Sequence, residues 1–83
     1  MEKYHVEIIT NKLHWSSKES ENKDEQLRFA RKLAFRLDWG DIRTVLPEND
    51  PLISLWEKPQ KNAHVYLVTM NDLGYQIASL LIR

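Results

Sequence analysis

Apolar and polar positions alternate at the start of the chain: Tyr4, Val6 and Ile8 fall on one side, His5 and Glu7 on the other. A period of two is that of a half-buried strand, which predicts β structure over residues 4–9, with Ile9 breaking the alternation at its end. Residues 10–23 read as a polar surface loop. Ser16, Ser17, Ser20 and Asn22 crowd there among charges, and only Leu13 and Trp15 are expected to fold back onto the domain. A polar loop of this length is unusual in a compact domain. The period then changes. From Asp24 to Trp39, the residues Leu27, Ala30, Leu33, Ala34 and Leu37 recur on one helical face, with Phe29 at its edge. Asn22 or Asp24 is the expected cap, since a short polar side chain accepts a hydrogen bond from a free first-turn amide. Asp24 and Glu25 suit the positive end of the helix dipole, and Gly40 is the expected stop.

Beyond Gly40, residues 42–46 and 52–56 read as short strands around the turn Pro47-Glu48-Asn49-Asp50-Pro51. A second turn, residues 58–62, leads into Ala63 to Met70. That segment is rich in Val65, Tyr66, Val68 and Thr69 and is apolar on both faces, which predicts a central strand. Two readings compete for the tail. Asn71-Asp72-Leu73-Gly74 suits a hairpin turn with glycine left-handed. Leu73, Ile77, Leu80 and Leu81 also share a helical face, and a helix is the preferred reading, although Gly74 inside it costs about 1 kcal/mol against alanine. The predicted class is therefore α+β: one domain over residues 1–83, in the order β-α-β-β-β-α, with helices packed on one face of a mostly antiparallel sheet.

Composition narrows the chemistry. The 83 residues suffice for one modest core, and 42% hydrophobic with 29% charged residues is ordinary for a globular chain. Twelve basic residues balance twelve acidic ones, which argues against coating nucleic acid through bulk charge. The sequence has no cysteine, so disulfides, thiolate metal sites and cysteine nucleophiles are excluded, and a cytoplasmic location is expected. Neither a signal peptide nor a bilayer-spanning run is legible, so no membrane partner is expected.

Motifs for catalysis are missing. The two glycines, Gly40 and Gly74, build neither a phosphate-cradling loop nor a dinucleotide fingerprint. Ser16, Ser17 and Ser20 lie beside His14, but loop serines serve turns and no nucleophile elbow surrounds them. The three histidines, His5, His14 and His64, share no local ligand spacing. His5 and His64 would meet, near Glu7, only if their strands paired; a wet sheet face is the plainer reading. The chain is thus expected to be no enzyme, with no cofactor and no metal.

Two surfaces remain. Opposite the apolar face of the long helix project Arg28, Arg31, Lys32, Phe35, Arg36 and Trp39; residues 28–36 hold four basic residues and no acid. Arginine and aromatic anchors suit a protein interface, and the same mixture suits phosphates and stacked bases. The competing reading covers Phe35 and Trp39 with other parts of the fold. The second surface is acidic: Asp38, Asp41, Glu48, Asp50 and Glu57 face one base, Arg43. Such asymmetry steers a charged partner or a second copy.

The stretch Leu52 to Ile82 adds a resemblance. Leu-Ile-Ser-Leu-Trp-Glu, the turn Lys58 to Asn62, His-Val-Tyr-Leu-Val-Thr, and Asn71-Asp72-Leu73-Gly74 with its apolar tail are together similar to the wing and following helix of winged-helix DNA-binding domains. The resemblance implies that Lys58 and Lys61 touch phosphate and that residues 71–83 are helical. No helix–turn–helix precedes it here. The expected function is a small non-catalytic protein-binding module (a regulator, inhibitor or adaptor) acting through the basic-aromatic helix face. The alternative is a nucleic-acid binder using that helix or the Lys58–Lys61 turn, and a homodimer is a third arrangement the sequence leaves open.

Overall fold

The structure is a computed structural model and describes residues 1–10, 14–39 and 63–83, with side chains in the middle segment as far as Phe35. They form strand β1 (Lys3–Ile9), strand β2 (His14–Ser16), helix α1 (Lys23–Trp39), strand β3 (His64–Met70) and strand β4 (Gln76–Leu81). All pairings are antiparallel, and the sheet order is β2-β1-β3-β4. One helix against a four-stranded antiparallel sheet is an α+β arrangement. Among the described residues no helix is long and apolar enough to cross a membrane.

The centre is the β1–β3 pair, which runs in unbroken register from Lys3↔Met70 to Ile9↔His64. Alternation sends Val6, Ile8, Val65 and Leu67 to one face, where they are buried against Ala30, Leu33 and Ala34 of α1. A helix is about 10–12 Å across with its side chains, and strands lie about 4.8 Å apart, so one helix roofs two strands. The helix packs across β1 and β3. Among the described residues, this core is reached from the β2 side by Trp15, which meets Phe29 edge-on at 6.4 Å, and from the β4 side by Ile82, just beyond that strand. On the other face His5 and Val68 stand directly opposite one another, and both are buried.

Asn22 is the cap of α1: its side-chain oxygen accepts from the Glu25 amide at 3.0 Å. The polar segment before it is more ordered than a surface loop. His14–Ser16 pairs with β1, Ser17 Oγ accepts from the Val6 amide at 2.8 Å, and Ser20 forms an isolated bridge to Tyr4. The serines there complete the edge of β1, whose amides would otherwise lack partners.

The helix expected over the tail is a strand, and the six-element order is corrected accordingly. Asn71 decides the matter. Its side-chain oxygen accepts from the amides of Leu73 (3.0 Å) and Tyr75 (2.9 Å), its carbonyl accepts from Gly74, and its amide donates to the Tyr75 carbonyl. Gly74 sits at φ 84°, where residues with a Cβ are strained. The chain therefore turns back, and β4 pairs with β3 through a bulge at Thr69/Met70. The same finding removes the helix that the winged-helix resemblance implied. The strands expected at 42–46 and 52–56, the acidic surface at 41–57, and Lys58 and Lys61 lie outside the described residues.

Gly74→Ala distinguishes the turn from a helix by sign. Alanine in a helix interior would stabilise by about 1 kcal/mol. In this left-handed turn it destabilises by about 1–2 kcal/mol, all of it backbone strain because no atom lies within 4 Å of the added Cβ. The urea midpoint of the variant measures the difference.

Candidate interaction surface

Burial of Ala30, Leu33 and Ala34 against the sheet fixes the rotation of α1 about its axis. The opposite side is then obliged to face water. Arg28, Arg31, Lys32 and Phe35 lie there, all exposed, and at about 100° per residue they form one contiguous strip. Phe35 is 56% exposed. Among the described residues, no salt bridge involves Arg28, Arg31 or Lys32. Their charges are therefore available to a carboxylate or phosphate from elsewhere. The strip starts one turn after the exposed Asp24 and Glu25, which hold the positive end of the helix. Arg36 and Trp39 continue the helix backbone, but their side chains lie outside those described. Phe29 is half-buried against Trp15, so it belongs to the packed side of the helix and not to the strip.

A second cluster forms on the sheet face away from α1. Glu7 lies between two imidazoles: Oε1 is 3.1 Å from His5 Nε2 and Oε2 is 3.5 Å from His14 Nε2. His5 is buried, Glu7 largely so, and His14 is exposed. Register explains the grouping, because His14 stands opposite Ile9 and Ser16 opposite Glu7 on the neighbouring strand. The strands of His5 and His64 do pair, but the register keeps the two histidines apart, with His5 opposite Val68. His64 is opposite Ile9, and its Nδ1 lies 3.2 Å from the Arg83 carbonyl oxygen. The alternation His14-Trp15-Ser16 marks a short strand within the segment read as loop, but the meeting of His14 with Glu7 depends on the β1–β2 register.

Glu7 spends one oxygen on each imidazole and so bridges them. Among the described residues, no three histidine, aspartate or glutamate side chains form a group able to hold a metal ion. The cluster's clear role is to give the buried His5 a partner where water has little access.

Comparison with known proteins brings no match: no family model, curated protein or solved structure matches the chain.

The two imidazoles should differ in what they contribute. Glu7→Ala leaves His5 buried without its carboxylate and is expected to cost about 1–3 kcal/mol. His14→Ala removes an exposed partner, 60% accessible, and is expected to cost less than about 1 kcal/mol. Paired urea titrations of the two variants test the ordering.

Proposed function

We propose that the chain is a non-catalytic binding module that engages a protein partner through the outer face of α1. The observation that carries this reading is an exposed phenylalanine, Phe35, set among three exposed cations on the side of the helix that the core leaves outward. An aromatic ring offers a large apolar contact at small entropic cost, and arginine adds planar, directional hydrogen bonding to carboxylates; the two together are favoured anchors of interfaces. The complementary surface is an apolar cleft rimmed by carboxylates. A helix seated in such a groove is a recurrent recognition mode that leaves the sheet behind it undisturbed.

The same cations would serve a nucleic acid. Arg28, Arg31 and Lys32 can neutralise about three phosphates, which is a modest share of what tight backbone binding recruits. Asp24 and Glu25, a turn away, repel a phosphate backbone. The overall charge of zero adds no long-range attraction. These points favour protein over nucleic acid.

A photo-crosslinking phenylalanine analogue at position 35, expressed in the native host, tests the assignment. The expected result is one discrete protein adduct, lost when Arg28→Glu and Arg31→Glu are added and not seen with the analogue at Lys18. Adducts that disappear on nuclease treatment would transfer the surface to nucleic acid. No adduct at position 35 would overturn the proposal.

A further inference from the structure

β4 is an edge strand whose six residues are all exposed. It lies outside the two-strand width that α1 covers, so its side chains meet water on both sides of the sheet. Ile77, Leu80 and Leu81 are 51%, 53% and 55% exposed, and Leu73 and Tyr75 in the preceding turn are more so. Among the described residues, none pairs with its outer backbone edge. Ile82 donates its amide inward to the Val65 carbonyl at 2.8 Å. Antiparallel pairing alternates, so Leu80 and Ala78 also turn inward, while Ser79 and Leu81 turn their N–H and C=O groups to the outside.

Soluble proteins usually guard such an edge with lysine, proline or an inward charge. Here Leu73 to Ile82 contains no charge and no proline. The nearest charges lie outside the strand: Asp72 in the turn before it, paired with the Met1 ammonium, and Arg83 beyond its end. In an antiparallel pair of β4 strands no like charges meet, because the strand itself carries none. Among the described residues the opposite edge strand, β2, is three residues long against six in β4, which makes it a poor receptor. Head-to-tail growth of the sheet is thereby disfavoured, and a closed two-fold arrangement is left.

We infer that β4 is a homodimerisation edge, pairing antiparallel with β4 of a second copy to make one continuous eight-stranded sheet. A two-fold axis between edge strands must stand perpendicular to the sheet, so residues facing one another share a face. With Ser79 on the axis, the outward amides of Ser79 bond to each other's carbonyls. Ala78 then lies opposite Leu80 of the second copy, Ile77 opposite Leu81, and Gln76 opposite Ile82. Stable interfaces hide about 800 Å² on each partner. A bare strand edge is narrower than that, so the half-exposed leucines and Tyr75 must add their area. This surface is separate from the α1 strip, and its existence does not depend on the role proposed for that strip.

Sedimentation of the full chain across a wide concentration range reads the association directly. The 9.9 kDa chain is expected to approach twice its mass. Ser79→Lys sets two lysines together on the axis and is expected to abolish the dimer with its circular dichroism unchanged, while Glu21→Lys leaves the dimer intact. Because the chain lacks cysteine, Ser79→Cys reports geometry independently. Facing residues about 5.5 Å apart at Cα suit a disulfide, so oxidation is expected to trap a covalent dimer. A wild-type monomer at all concentrations would overturn the inference and leave the edge to a strand of a different protein. Open-ended growth, or crosslinking as efficient through Ser16→Cys on β2, would overturn it as well.

Discussion

The pairing of β1 with β3 is the constraint on which everything else rests. These two strands are seven residues each and in unbroken register, and they supply Val6, Ile8, Val65 and Leu67, the sheet half of the core. A one-residue slip of either strand would turn its two core side chains away from α1 and bring His5 and Glu7, or His64 and Tyr66, under it instead. The cost of burying those polar groups against Leu33 locks the register. Once it is locked, the rotation of α1 follows, and with it the outward strip of Arg28, Arg31, Lys32 and Phe35. The Glu7 cluster follows from the same register, because β2 can bring His14 to Glu7 only where β1 holds it.

The width of one helix sets the division between covered and open sheet. Two strands lie beneath α1 and two beyond it, and the two outer strands meet that condition differently. β2 is short, and its flanking serines satisfy the backbone of β1. Trp15 reaches back to Phe29 and joins the roof. β4 is twice as long, and among the described residues the core is reached from its side by Ile82, just beyond it. The molecule thus presents a charged helical face and an uncharged strand edge, two surfaces of unlike chemistry on one small scaffold.

Much of this was legible in the residues because it depends on local period. The alternation of Tyr4, Val6 and Ile8, the helical spacing of Ala30, Leu33 and Ala34, and the two-sided apolar character of Val65 to Val68 each identify an element, its buried side, or both. The outward strip of α1 is legible for the same reason, being the complement of the buried one. The tail was misread because Leu80 satisfies both periods: it lies with Ile77 and Leu81 on a helical face and with Ala78 and Ile82 on one side of a strand. In so short a segment the turn decides. The hydrogen bonds of Asn71 and the positive φ of Gly74 outweighed the helix preference of alanine and leucine. The grouping of His5, Glu7 and His14 was illegible for another reason. It depends on the register of β2 against β1, which no local pattern encodes.

The sheet order also has a consequence for synthesis. β1 is made early, and its long partner β3 begins 55 positions after β1 ends, at His64 against Ile9. At translation rates of about 5–20 residues per second, that separation is roughly 3–11 s during which the nascent chain holds β1 without the strand that joins it to α1. β2 gives β1 three residues of pairing in that interval. The core therefore closes only after residues 64–70 leave the ribosomal tunnel. Until then Val6 and Ile8 lack Val65 and Leu67, the β3 part of their core.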